Sequence, residues 1–236
     1  MEKVVYVVWE RSGDDREPTL ARLRTQVAVE LSELDARAVH VNVADATVAH
    51  VPGRRPPTTA RFPMAVLTFW LDNADHRAPI EALLRDAGGE IAGYVVGESV
   101  PMRNTTRMAQ PGDPTPGVNM IALLEKPDWL DHPEWIHRWR DNHRIVALET
   151  QWQYSYVRNT VIHPLTADAP PWAAIVEEGF TAEAAVDKML WYGADGSPEV
   201  LQERFARMIA SCETFLDVER GIQLPFSEYV FGDITA

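Results

Sequence analysis

The feature that most constrains this chain is a repeat in the order of its elements. Each half reads strand, helix, strand, strand, helix, strand when hydrophobic runs and turn signals are followed along the sequence. The first half opens on the β-branched run from Lys3 to Trp9, whose lack of polar alternation predicts a strand covered on both faces. A helix follows over 19–34, with Leu20, Leu23, Val27, Leu31 and Leu34 at helical spacing. Strands at 38–43 and 64–71, a short helix at 76–87 stopped by Gly88 and Gly89, and a strand at 91–101 complete it. The second half repeats the order with a strand at 118–125, a helix at 133–149, strands at 153–162 and 173–179, a helix at 181–191 and a strand at 222–231. One helix, over 198–216, has no counterpart. Residues 50–63, with four prolines and two adjacent arginines, read as a loop, and residues 103–116, with Pro111, Pro114 and Pro116, as a linker.

A β-α-β-β-α-β unit is ferredoxin-like, and it leaves one face of its sheet bare. A second copy can bury that face. The expected fold is therefore α+β: two ferredoxin-like units in tandem, residues 1–102 and 117–236 joined by the 103–116 linker, their sheets either face to face or joined into a pseudo-dimeric α+β barrel, with helices outside.

Charge and composition narrow the partners. The formal net charge of −13 disfavours nucleic acid, whose phosphates such a chain repels. The acidity is uneven: residues 1–116 carry 13 basic and 16 acidic side chains, leaving 9 and 19 for the rest. Cys212 is the only cysteine, so a disulfide within the chain and a cysteine metal cluster are both excluded; in its helical context it reads as a small buried hydrophobe. No apolar run reaches the roughly 18 residues of a membrane span, and the N-terminus does not read as a signal peptide, so the expected location is cytoplasmic.

The densest chemistry lies in 133–143. On a helix, Trp135, Trp139 and His143 share a face, and Val146 continues it toward the sheet. An imidazole held there is neutral by burial and able to act as general acid or base. From helix geometry alone, a core histidine satisfied by a backbone carbonyl is the favoured reading and proton transfer the alternative. His132 and His137 show no metal-ligand spacing, so no metal is expected. In the next strand, alternation puts Tyr154, Tyr156, Arg158 and Thr160 on one face and Ser155, Val157, Asn159 and Val161 on the other. Glu177 falls in phase with Ala173 and Ile175 in a buried run and needs a partner, with His143, a helix end and Arg158 all candidates. Glu228 in the last strand raises the same question.

These residues resemble the EthD family of the dimeric α+β barrel superfamily. The resemblance spans about 117–232 and rests on Glu134, Trp139 and His143 of the helix, Tyr156, Val157, Arg158 and Asn159 of the strand after it, Glu177 with Phe180, and Glu228. It departs after the histidine, where Arg144, Ile145 and Val146 replace the family's Gly-Pro-Leu. The resemblance implies a pocket between helices and sheet for a hydrophobic small molecule, with His143 as the proton-transfer group, and Tyr156 and Glu177 orienting it or the substrate. Trp135, Trp139, Arg158, Asn159, Phe180 and Glu228 would contact the substrate.

Three activities are then expected in order. The first is a cofactor-independent lyase, decarboxylase, dehydratase or cyclase acting on an aromatic or polyketide-like compound. The second is a non-catalytic binding or accessory protein for a hydrophobic metabolite. The third is a haem protein with His143 or His163 as axial ligand. A second copy of the chain is a further expected partner, forming a homodimer through sheet edges or helices, with a single barrel standing alone as the alternative.

Overall fold

The structure of the chain, a computed structural model, describes residues 1–11, 13, 15–57, 59 and 61–232. Its eight strands are β1 (Glu2–Glu10), β2 (Arg37–Val43), β3 (Ala65–Leu71), β4 (Gly89–Met102), β5 (Val118–Glu125), β6 (Ser155–Pro164), β7 (Trp172–Phe180) and β8 (Ile222–Phe231). They close into one antiparallel barrel in the order β1-β3-β2-β8-β5-β7-β6-β4. Each half contributes four consecutive strands, and the two sets are stitched by β2 to β8 and by β4 to β6. The fold is the α+β barrel of two ferredoxin-like arrangements that the repeated element order predicts.

Closure buries both faces of strands such as β1 and β7, which is why these read as continuous apolar runs. Val5 and Val7 of β1 point into the barrel with Val66, Ile121, Ile175 and Leu224. Val4, Tyr6 and Val8 point outward against α1 (Arg16–Arg22), α2 (Ala28–Glu33) and α3 (Ala78–Ala87). The outer face of the second half meets α4 (His132–Ile136), α5 (Arg144–Thr150), α6 (Lys188–Trp191) and α7 (Pro198–Glu213), whose packing produces a separate apolar cluster around Trp135, Trp139 and Tyr156.

The first helix of each half is interrupted at its middle by a wider π turn. Leu23–Val27 joins α1 to α2, and His137–His143 joins α4 to α5. A π turn advances about one residue further per turn than an α-helix, so residues four apart stay in line over a longer stretch. Trp135, Trp139 and His143 are held on one face in this way, and all three are buried.

The barrel interior is apolar at one end and polar at the other. Lys3 Nζ lies 2.5 Å from Glu98 Oε2 and 3.9 Å from Glu177 Oε1, Asn119 Nδ2 donates to Asn42 Oδ1 at 2.8 Å, and His40 Nδ1 is 3.2 Å from Glu228 Oε1. Lys3→Met should destabilise the protein by about 2–3 kcal/mol, because it leaves two mostly buried carboxylates without their cation; guanidinium denaturation of the variant against wild type measures it.

Two expected elements differ. The helix expected over 181–191 is a helix only over Lys188–Trp191; Thr181–Asp187 is a series of turns. Asp187 is extended and caps α6 through its carboxylate, while Ala184 and Ala185 pack against Val48, Val51 and Phe180. Tertiary packing overrides helical propensity there. Residues 103–116 are not a loose linker: Gly112 N donates to Val230 O and Thr115 N to Glu228 O, laying the segment along β8.

Candidate active site between helices and sheet

A cavity of about 580 Å³ opens between the second half's helices and the outer face of its sheet. Trp139, His143, Tyr156, Val176, Glu178, Gln151, Trp191, Tyr192 and Cys212 line it. The wall is thus mainly aromatic and aliphatic, with a few convergent polar groups, the composition expected of a small-molecule site.

His143 comes to this wall at the end of the π turn. Its Nδ1 lies 2.9 Å from Ser211 Oγ of α7, and its ring centroid is 4.7 Å from that of Phe215. Burial, aided by the nearby Arg158 charge, lowers its pKa to about 4, so the imidazole is neutral at physiological pH. A side-chain hydroxyl, not a backbone carbonyl, satisfies it. Tyr156, from β6, is buried, and burial followed by the Glu178 carboxyl raises its phenol well above the ordinary value, so it remains a hydrogen-bond donor.

Glu178 is the group that sequence reasoning missed. In the β6–β7 ladder Tyr156 pairs with Glu178 and Val157 with Glu177. Paired residues share a face, so Glu178 joins Tyr156 on the helix side and Glu177 turns into the barrel. Burial raises the Glu178 pKa to about 7. With its amide turned to satisfy both partners, Gln151 donates to Glu178 Oε1 at 3.3 Å and accepts from Trp191 Nε1 at 3.0 Å.

The other expected site residues distribute as follows. Glu177 accepts from Asn159 Nδ2 at 2.8 Å inside the barrel, so this pair stands across the sheet from the cavity, and His143 is not its partner. Glu228 also faces the interior. Burial pushes its carboxyl up, but the hydrogen bond and charge of His40, with Thr115 and Lys3, hold it below the usual carboxylate range. Trp135 packs against Trp139 with ring centroids 4.9 Å apart and planes tilted by 32°, and donates Nε1 to Phe215 O at 3.0 Å, so it backs the cavity wall. Arg158 clamps that wall: Nη1 donates to Arg140 O at 2.8 Å, Nη2 to Ser99 Oγ at 2.9 Å, and its guanidinium lies over the Trp139 and Tyr156 rings. Phe180 stacks on Trp191 at 3.6 Å. Cys212 lines the cavity, and burial, with Glu178 nearby, pushes its thiol up to about 12, which leaves it protonated and inert as a nucleophile. His163 sits at the exposed end of β6, outside the cavity. Among the described residues, no group of three or more His, Cys, Asp and Glu could hold a metal ion.

The two shifted groups oppose each other in their pH effect on stability. Glu178 binds its proton more tightly folded than unfolded, so its contribution is full below about pH 4.5 and is lost as pH rises through about 7. His143 binds its proton less tightly folded, so its contribution is full above about pH 6.5 and is lost as pH falls through about 4. Wild-type stability is therefore expected to vary little from these two groups between about pH 4.5 and 6.5. Glu178→Gln should make stability climb with pH across that window and His143→Gln should make it fall, each by about 2–3 kcal/mol, as denaturation midpoints at several pH values will show.

No known family model matches this sequence, and no curated protein matches it. Solved structures match the fold along its whole length. An anthrone oxidase-like protein aligns with a TM-score of 0.57 at 7% identity, covering 98% of this chain and 94% of that one. A monooxygenase-like protein from Fusobacterium nucleatum subsp. nucleatum aligns with a TM-score of 0.53 at 7% identity, covering 98% and 94%. A chlorite dismutase-like protein aligns with a TM-score of 0.50 at 10% identity, covering 96% and 95%. What they share with this chain is the fold, an α+β arrangement around an antiparallel barrel that closes here within one chain.

Proposed function

We propose that this chain is a cofactor-independent enzyme that moves a proton on a hydrophobic aromatic or polyketide-like small molecule, as decarboxylases, dehydratases, cyclases and other lyases do. In this reading residues 117–236 are an EthD-like unit that carries the chemistry, and residues 1–102 are a diverged copy that completes the barrel. The observation that carries it is an aromatic cavity whose wall holds the buried carboxyl of Glu178, with a pKa of about 7, the protonated phenol of its cross-strand neighbour Tyr156, and the neutral imidazole of His143. A base with a pKa near working pH combines a useful ionised fraction with real proton affinity.

The residues divide the work as their ionisation dictates. Ionised Glu178 takes the proton from an activated C–H, with Gln151 holding the carboxylate. Negative charge then develops on a conjugated substrate oxygen, and the Tyr156 hydroxyl is the donor suited to stabilise it. His143 shares a hydrogen bond with Ser211 through Nδ1, and in the tautomer in which the Ser211 hydroxyl donates, Nε2 carries the ring proton and is a second donor. Trp139, Trp191 and Phe215 exclude water, which strengthens each of these interactions. The name of the anthrone oxidase-like neighbour fits the substrate class, since an anthrone is a tricyclic aromatic with an acidic methylene.

Exchange of that methylene in D2O without oxygen, followed by proton NMR, tests the reading. Exchange faster than in buffer supports it. Binding with no acceleration favours instead a carrier for a hydrophobic metabolite. A haem reading is favoured by one observation, the neutral His143 with a ring nitrogen beyond its Ser211 bond; a protein that develops no Soret band on haem addition removes it.

A further inference from the structure

The loop between β2 and β3 belongs to the first half in sequence, yet it ends in the second half's cavity. Arg54 N donates to Gln223 O of β8 at 2.7 Å, and Gln223 N donates back to Arg54 O at 3.1 Å. The Arg54 guanidinium is anchored as well, with Nη1 donating to Val218 O at 2.5 Å. Gly53 permits the approach, because a Cβ there would stand 2.8 Å from Gln223 O and 3.1 Å from Pro225 Cδ. Arg54 is thereby fixed as a lining residue of the cavity, with an exposed side chain that retains further N–H donors.

A second cation lies on the same lining. Lys188, at the start of α6, places Nζ 5.3 Å from the centroid of the Phe205 ring. The carboxylate beside it, Asp187, already accepts from Met189 N at 2.7 Å as the cap of α6. Lys188 is one of 9 basic side chains against 19 acidic ones in residues 117–236, and Arg54 reaches the same lining from the first half. The Arg54 charge also reaches inward, acting to lower the pKa of Cys212 and Tyr192.

We propose that Arg54 and Lys188 form an anion-reading collar, and that the substrate is an aromatic acid whose carboxylate or phenolate stays at the mouth. This rests on the reading above and narrows it. An anion carried to the cavity floor would meet the Glu178 carboxylate in a low-dielectric site, where like charges repel strongly. An anion at the mouth meets two cations against one carboxylate, Asp187, whose Oδ1 is engaged in the α6 cap, so the charge pattern orients the molecule with its neutral ring carbons toward Glu178. Specificity and chemistry then come from different halves of the chain. Arg54 is the specificity-determining residue, and the first half is more than a scaffold.

Isothermal titration with 2-naphthoate and its neutral isostere 2-naphthamide tests this, at about pH 6 where Glu178 is largely protonated and at low salt. Wild type should bind the naphthoate about tenfold more tightly than the amide, with the gap narrowing at about 0.5 M salt. Arg54→Met keeps an apolar stem and should weaken naphthoate binding about five- to tenfold while changing amide binding less than twofold; Arg54→Lys should recover much of the loss. Equal wild-type affinities for the two probes, or equal losses for both in Arg54→Met, overturn the collar and leave the pocket standing. Binding of neither probe overturns the pocket reading and the collar with it.

Discussion

Glu178→Gln is expected to slow proton exchange from a bound aromatic C–H acid by about 10²–10⁴-fold, the usual contribution of a positioned general base. Glutamine keeps the shape and the Gln151 contact but has no basic oxygen, so binding of a neutral aromatic should be nearly unchanged. The pH profile carries a further signature. Activity in wild type should rise with pH through about 7 as Glu178 ionises, and this limb should vanish in the variant. His143→Gln should leave the limb in place, since His143 is already neutral above about pH 4, and should lower the plateau instead. Equal rates for wild type and Glu178→Gln would remove the carboxyl from the chemistry.

The largest stability loss is expected from Trp135→Ala. Trp135 is fully buried, packs against the tilted Trp139 ring and spends its only polar hydrogen on Phe215 O. Truncation opens an indole-sized void beneath the π turn and strands the Phe215 carbonyl. Together these should cost roughly 4–6 kcal/mol, measured by guanidinium denaturation. The same void should loosen Trp139 and His143, so ligand affinity in the cavity should drop even where the variant remains folded.

The helix side of the site was legible in the sequence because its signal is local. Trp135, Trp139 and His143 recur every four residues, and that spacing alone places them on one face of one helix. The sheet side was not, and β7 shows why. Every residue from Ala174 to Phe180 is buried, since helices cover one face of the strand and the barrel core the other. Without polar alternation, nothing local says which of the adjacent Glu177 and Glu178 faces the helices. Only the register against β6 decides, and register is a long-range property. Grouping Glu177 with Ala173 and Ile175 was correct as phase, but that phase belongs to the barrel interior. Arg54 was hidden for another reason. Its role depends on a two-bond contact with β8, some 170 residues away, and a proline-rich segment carries no sign of such a partner.

The repeated element order predicted the fold because each half must hide the bare face of its sheet, and the barrel does so. Of the residues that carry the EthD resemblance, Trp139, His143 and Tyr156 line the cavity, whereas Asn159, Glu177 and Glu228 face the barrel interior.

The account turns on Glu178, and its ionisation can be measured without knowing the substrate. In protein labelled with ¹³C at glutamate carboxyls, one resonance should titrate with a midpoint near 7, disappear in Glu178→Gln, and shift when a neutral aromatic such as 2-naphthamide is added. A Glu178 resonance that titrates at the ordinary glutamate value and ignores the aromatic would contradict the account.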